Sequence, residues 1–127
     1  MRRRWVTREL EVPAALAWEL LTDTAAWPGW GPSVRSARLD QGRFEAGATG
    51  SLTTTIGVRL GFELTEVEPG RAWSWEVMGV PATGHRVDPL GPRRCRVGFS
   101  VPWPAVAYLP VCSLGLRNLE RMAVDRR

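Results

Sequence analysis

Five turn signals between residues 40 and 93 constrain this chain more than any other feature. They are Asp40-Gln41-Gly42, Ile56-Gly57-Val58, Glu68-Pro69-Gly70-Arg71, Val80-Pro81-Ala82 and Gly91-Pro92-Arg93, and each separates two short segments in the manner of a hairpin connection. In the third, Pro69 presets the second turn position and Gly70 can take the positive φ that a type II turn needs. The segments between them predict strands at 34–40, 48–56, 59–67, 71–78, 83–90 and 94–103, a meander of antiparallel strands.

A further strand precedes them. Over residues 4–12, Val6, Arg8, Leu10 and Val12 alternate with Thr7, Glu9 and Glu11, the period-two pattern of a strand with one buried face. Pro13 then opens a short helix whose apolar stripe is Ala14, Ala17, Trp18, Leu20 and Leu21. Thr22, Asp23 and Thr24 supply oxygens to cap a second short turn, and Pro28 is expected to end it at Trp27. Trp27 and Trp30 are thereby placed in a proline and glycine corner, Trp27 wedged under the helices and Trp30 at a pocket rim. From Pro104 to Arg127, Leu109, Cys112, Leu116, Leu119 and Ala123 recur at steps of three and four, which predicts a long helix with a kink or a broken first turn at Pro110.

Composition sets the class. One domain, residues 1–127, is expected, with 44% hydrophobic and 24% charged residues and no apolar run of membrane-spanning length. The basic start Met1-Arg2-Arg3-Arg4 has no apolar stretch behind it, so a cytoplasmic protein is expected. Cys95 and Cys112 are too few for a disulfide framework or a zinc site and read as small buried residues. The net charge of +4 comes from arginine without lysine, clustered only at the two termini and one turn, so nucleic-acid binding is not expected. No nucleophile elbow, phosphate-binding glycine loop or metal-ligand spacing occurs, and neither cofactor nor metal is expected.

The order strand, two short helices, six strands, long helix resembles the START or Bet v 1-like (SRPBCC) superfamily, and within it the polyketide cyclase/dehydrase-like members. The resemblance is carried by Leu10-Glu11-Val12-Pro13-Ala14, Ala17-Trp18-Glu19-Leu20-Leu21-Thr22-Asp23, Trp27-Pro28-Gly29-Trp30-Gly31-Pro32 and Glu66-Val67-Glu68-Pro69-Gly70-Arg71-Ala72-Trp73-Ser74-Trp75. It implies an α+β helix-grip fold: a seven-stranded bent antiparallel sheet wrapped around the long C-terminal helix, with a tunnel for a hydrophobic ligand between them. Function is less constrained, because such folds host different chemistries.

The residues themselves support an apolar space. Cys95, Val97, Phe99, Val101 and Trp103 share one strand face, Leu60, Phe62 and Leu64 another, and Trp73, Trp75 and Val77 a third. With Trp30, His85, Val87, Tyr108, Cys112 and Leu116, these include the expected ligand-binding set of Trp30, Phe62, Leu64, Trp73, Trp75, His85, Val87, Val97, Phe99, Tyr108, Cys112 and Leu116. His85, on the face of Val87, is either a proton-moving or carbonyl-polarising group or a hydrogen-bonded structural residue. Arg8 either reaches inward to hold a carboxylate or enolate or extends past the sheet end. Tyr108 either presents its hydroxyl at the pocket mouth or packs the last helix on the sheet. Glu63 and Glu76 are expected on the outer face, paired with Arg59 or Arg71.

Three functions follow in order. The first is a binding protein for a lipid-, polyketide- or aromatic-type molecule. The second is a cyclase, aromatase or dehydratase using His85 or Arg8 on an enolate. The third is a protein-interaction module, and a homodimer is left open.

Overall fold

Alternation in the sequence becomes a single seven-stranded antiparallel sheet in the computed structural model, which describes residues 2–127. The elements are β1 (Arg3–Leu10), α1 (Ala14–Thr22), α2 (Trp27–Trp30), β2 (Val34–Leu39), β3 (Thr49–Thr54), β4 (Arg59–Glu68), β5 (Ala72–Val77), β6 (Val80–Gly91), β7 (Arg94–Pro102), a 3-10 turn (Trp103–Tyr108) and α3 (Leu109–Arg126). Strand order is β1-β7-β6-β5-β4-β3-β2, so the first strand closes against the last while the rest pair in sequence order. This is the helix-grip arrangement. Among the described residues no helix is long and apolar enough to cross a membrane.

Bulges bend the sheet around α3. Register shifts between Leu64 and Glu66 on the β4–β5 ladder, and between Ser74 and Glu76 on the β5–β6 ladder, each add a residue to one strand and increase local twist. The second shift sets Ala82 and Thr83 together opposite Trp75. The lower part of the concave face is filled by Leu10, Leu64, Val87, Cys95 and Val97 from the strands, Ala17, Leu20 and Leu21 from α1, and Leu116, Leu119 and Ala123 from α3.

Four of the five turn signals fall at strand junctions, but Val80-Pro81-Ala82 is corrected. All three residues lie inside β6, where Pro81 sits beside the β5–β6 bulge and its missing N–H is tolerated, and the chain reverses two residues earlier. Gly70 has φ +78°, as the type II reading requires. The β5–β6 hairpin closes through Met78 and Gly79 between the paired Val77 and Val80, and both loop residues have positive φ, 53° and 77°. Such a two-residue turn favours Asn-Gly, because a side chain with φ in this region crowds its own backbone. Met78→Asn is therefore expected to stabilise the fold by about 0.5–1 kcal/mol. A urea midpoint unchanged or lowered in the variant would contradict this.

Three further local expectations are corrected. Pro28 does not end a helix before Trp27; it sits in the first turn of α2, where its missing N–H costs nothing, and Trp27–Trp30 is itself helical. β7 stops at Pro102, and Trp103 leaves the inward face for the 3-10 turn, half exposed with the Arg4 guanidinium 5.0 Å from its ring centre. Pro104 suits the first turn of a helix but not a continuing strand, and the break before Pro110 expected for the last helix falls here. Finally, Glu63 lies opposite Glu76 across the β4–β5 ladder, while Arg71 pairs with Asp88 at 3.2 Å.

Candidate functional site: a tryptophan-walled pocket

The site begins with the end of α1. Carbonyls in a helix's last turn have no partner inside the helix. Here two indoles supply one: Trp27 Nε1 donates to the Leu21 carbonyl at 3.0 Å and Trp30 Nε1 to the Leu20 carbonyl at 2.9 Å. The Trp-Pro-Gly-Trp spacing puts both rings one turn apart, each with its polar edge on α1 and its apolar face turned to the sheet. Both are buried.

On the sheet side, Trp73 stacks on Trp27 with ring centres 5.4 Å apart and planes 5° from parallel, and its other neighbour is His85, at 3.9 Å and 21°. Trp75 meets Trp27 edge-on at 5.3 Å, and Phe99 lies 5.4 Å from Trp30. The Trp73 indole N–H is buried with no hydrogen-bond partner among the described residues. That ring is held by packing, stacked between Trp27 and His85 and met edge-on by Phe44 and Trp75, whereas Trp27 and Trp30 also donate hydrogen bonds.

Above this aromatic floor a cavity of about 330 Å³ opens between the sheet and the N-terminal half of α3. Its wall includes Leu52 and Thr54 of β3, Leu60 of β4, Val77 of β5, Thr83 and His85 of β6, Phe99 and Val101 of β7, and Val111, Cys112 and Gly115 of α3. The rim includes Ser33, Pro81, Pro102, Ala105 and Tyr108, and the Tyr108 hydroxyl stands 3.4 Å from Ser33 Oγ. The volume is at the small end for small-molecule sites, and the surface is overwhelmingly apolar.

Four of the groups at the cavity wall, on Trp73, His85, Thr83 and Trp75, form one chain of hydrogen bonds. Because the Trp73 carbonyl can only accept, the hydrogen of the neutral His85 ring is on Nδ1, which donates to it at 3.3 Å. His85 Nε2 is then an acceptor and takes the Thr83 hydroxyl at 3.0 Å, while Thr83 Oγ1 accepts from Trp75 Nε1 at 3.0 Å. Burial pushes the His85 imidazole down to about 3, against the weaker opposing pull of the Trp73 carbonyl, and the Arg3 charge adds to the lowering. The ring is neutral at physiological pH with both nitrogens engaged. Burial also pushes the Cys112 thiol up to about 11, so this wall residue is an uncharged thiol.

Of the residues read from the sequence, Trp30, Trp73, Trp75, His85, Phe99, Tyr108 and Cys112 line this cavity. Phe62, Leu64, Val87, Val97 and Leu116 face the same interior but are packed in the core below or behind the wall. The physical reason is packing: α1 lies over β6 and β7, α3 over β1 and β7, and the Trp27 and Trp75 rings close over Phe62, so the open space is confined to the rest of the concave face. Arg8 does not reach the pocket: its Nε donates to Glu120 Oε1 of α3 at 2.8 Å, toward the far end of β1 and partly exposed. Trp27, expected to be purely structural, is both wedge and wall. Thr83 was legible from its alternation with His85, whereas Ala82 was hidden by the bulge that turns it inward.

A family model described as polyketide cyclase/dehydrase and lipid transport matches residues 2–121. No curated protein matches the sequence. Among solved structures, a START superfamily protein from Mycobacterium smegmatis superposes with a TM-score of 0.79 at 16% identity, covering 98% of this chain and 99% of that one. The protein XoxI from Bacillus cereus does so at 0.76 and 20% identity, covering 98% and 97%. The Zhui aromatase/cyclase from a Streptomyces species gives 0.72 at 14% identity, covering 98% and 94%. At these identities the likeness is one of fold.

Proposed function

The chain belongs to the polyketide cyclase/dehydrase and lipid transport family, and we propose that within it this protein binds a compact apolar small molecule of the lipid, polyketide or aromatic type. The observation that carries this reading is a mouthed, tryptophan-walled cavity whose inner polar groups are neutral and already bonded to one another. Such a wall gains free energy from apolar burial and asks little of a ligand in hydrogen bonds. A volume of about 330 Å³ favours a few fused or linked rings, or one short chain, over a two-chain lipid.

The runner-up is a cyclase, aromatase or dehydratase in which His85 or Arg8 stabilises an enolate. General acid–base work calls for a group that titrates near the operating pH. His85 is held far below it, and Arg8 is bonded to Glu120 outside the cavity. Any catalysis would then rest on holding a flexible substrate in a bent form. The binding reading needs no such addition.

The test uses N-phenylnaphthylamine, an apolar probe that accepts excitation from nearby tryptophans. Saturable, single-site binding is expected in the natural protein. Val111→Trp, which fills the cavity from a half-buried position on α3, should weaken it by about tenfold or more while the unfolding midpoint stays close to that of the natural protein. Binding that survives this substitution unchanged would show that the probe sits elsewhere.

A further inference from the structure

The antiparallel topology brings five chain segments to the mouth end of the sheet: the start of β1, the start of β2, the β3–β4 tip, the β5–β6 tip and the 3-10 turn leading into α3. Exposed apolar side chains gather there. Ile56 is 84% exposed, Met78 66%, Val80 64% and Trp103 52%, with Val58 and Val106 beside them. Of the large apolar residues exposed among the described ones, Leu90, at the opposite end of β6, is the one that lies outside these segments and the start of α3. Pocket-lining residues lie within two positions of the most exposed ones: Thr54 before Ile56, Val77 and Pro81 around Met78 and Val80, and Pro102 and Ala105 around Trp103. The mouth opens inside this apolar ring.

Met78 carries a second signal. Its positive φ favours Asn or Gly, and its exposure favours a polar group, yet the residue is a long thioether. A residue that local conformation and solvation both disfavour points to a use for its side chain.

Charge identifies the partner. The same segments carry Arg2, Arg4, Arg35 and Arg59, all exposed, and Glu76 is the one carboxylate among residues 2–5, 31–36, 53–60, 76–82 and 101–115. Among the described residues the ion pairs involve other arginines, namely Arg8, Arg71, Arg86, Arg94 and Arg96. Arg35 Nη2 is anchored on the Thr55 carbonyl, next to Ile56, and Arg4 lies over the Trp103 ring. Apolar tips interleaved with uncompensated arginines match the two layers of an anionic membrane surface, acyl chains beneath phosphate headgroups. A second copy of the chain fits poorly, because a two-fold contact would set these arginines against one another.

We propose that the mouth end docks on an anionic lipid bilayer, the hairpin tips and Trp103 entering the interface and the pocket opening directly onto it. An apolar ligand could then pass between bilayer and pocket without crossing water, whichever molecule that ligand is. The docking itself requires no ligand, so it is measured independently of what the pocket holds.

The experiment is flotation of the full chain with vesicles of phosphatidylcholine alone or mixed with phosphatidylglycerol, at low and high salt. Expected are co-flotation with the anionic vesicles only, weakening with salt, and quenching of tryptophan emission by lipids brominated near the headgroup. Arg35→Glu and Arg59→Glu should each lower partitioning by about fivefold, and the pair Ile56→Asp and Met78→Asp by about tenfold or more. Circular dichroism and N-phenylnaphthylamine binding of these variants should match the natural protein, since none of the four positions lines the cavity. Val111→Trp should still float, which separates failure of docking from failure of the pocket reading. The proposal is overturned by absence of co-flotation, by flotation that the apolar substitutions leave unchanged, or by displacement of the protein into solution by polyglutamate with the apolar substitutions silent. A concentration-dependent dimer abolished by Met78→Asp would assign the surface to a second copy instead.

Discussion

Trp27→Ala is expected to lower the stability of the fold by about 3–5 kcal/mol, the range for removing a large aromatic ring from a packed core. A domain of this size has roughly 5–15 kcal/mol in all, so the variant should be marginal at physiological temperature. The ring is 2% exposed and packs against Trp30, Phe44, Phe62, Trp73 and Trp75 at centre distances from 5.3 to 6.5 Å. It therefore joins α2, the β2–β3 connection and the sheet. Trp27→Phe separates packing from hydrogen bonding. It keeps most of the apolar contact but leaves the Leu21 carbonyl buried without its donor, at a cost of about 1–3 kcal/mol. Urea unfolding followed by far-ultraviolet circular dichroism measures both. A Trp27→Ala loss below about 1 kcal/mol would mean that the aromatic cluster does not hold α1 and α2 on the sheet.

The second large effect is a pH dependence from His85. Its folded-state value of about 3 lies below the ordinary 6.5 because burial disfavours the imidazolium. As the pH falls from 6.5, the unfolded chain takes up a proton that the folded chain refuses. The native state then loses about 1.4 kcal/mol per pH unit until the folded value is reached. Between roughly pH 6.5 and pH 4.5 most carboxylates are still ionised, so the histidine contribution stands largely alone and amounts to roughly 2–3 kcal/mol. His85→Gln should abolish that slope while lowering stability at neutral pH through the lost stacking on Trp73. Equal slopes for the two proteins between those pH values would show that the buried imidazole is not the acid-sensitive group. Charging of His85 would also disrupt the Trp75–Thr83–His85 chain, so probe binding should fail together with the fold rather than ahead of it.

Both predictions rest on features that were unevenly legible in the sequence. The strands were readable because each has one buried face and the turns between them use residues whose conformational preferences are strong: Gly70 at positive φ is the clearest case. The long helix was readable from its stripe. Trp103 was misplaced because alternation has no term for a chain that leaves the sheet, and Pro104 does that one residue later. Trp27 and Trp30 were recognised as a corner, but not as a helical turn whose indoles close the end of α1. That role depends on where the Leu20 and Leu21 carbonyls point once α1 is packed.

The site divides along the same line. Which side chains face inward follows from a period of two residues, a local property of extended chain, and it placed Trp73, Trp75, His85 and Phe99 correctly on the concave face. Which of those side chains border empty space is a question of volume, decided when α1, α3 and the Trp27 and Trp75 rings pack on the concave face and leave Phe62, Leu64, Val87, Val97 and Leu116 in a packed core. The state of His85 is likewise tertiary, because a pKa responds to the summed burial and hydrogen bonding imposed by strands distant in sequence. The sequence by itself determined the seven strands, the long helix and the aromatic inner face, since backbone periodicity and turn chemistry act over a few residues. Only the tertiary structure decided the extent of the pocket, the neutrality of its histidine and the gathering of apolar tips and arginines around its mouth, since each depends on segments that antiparallel pairing brings to the same end of the sheet.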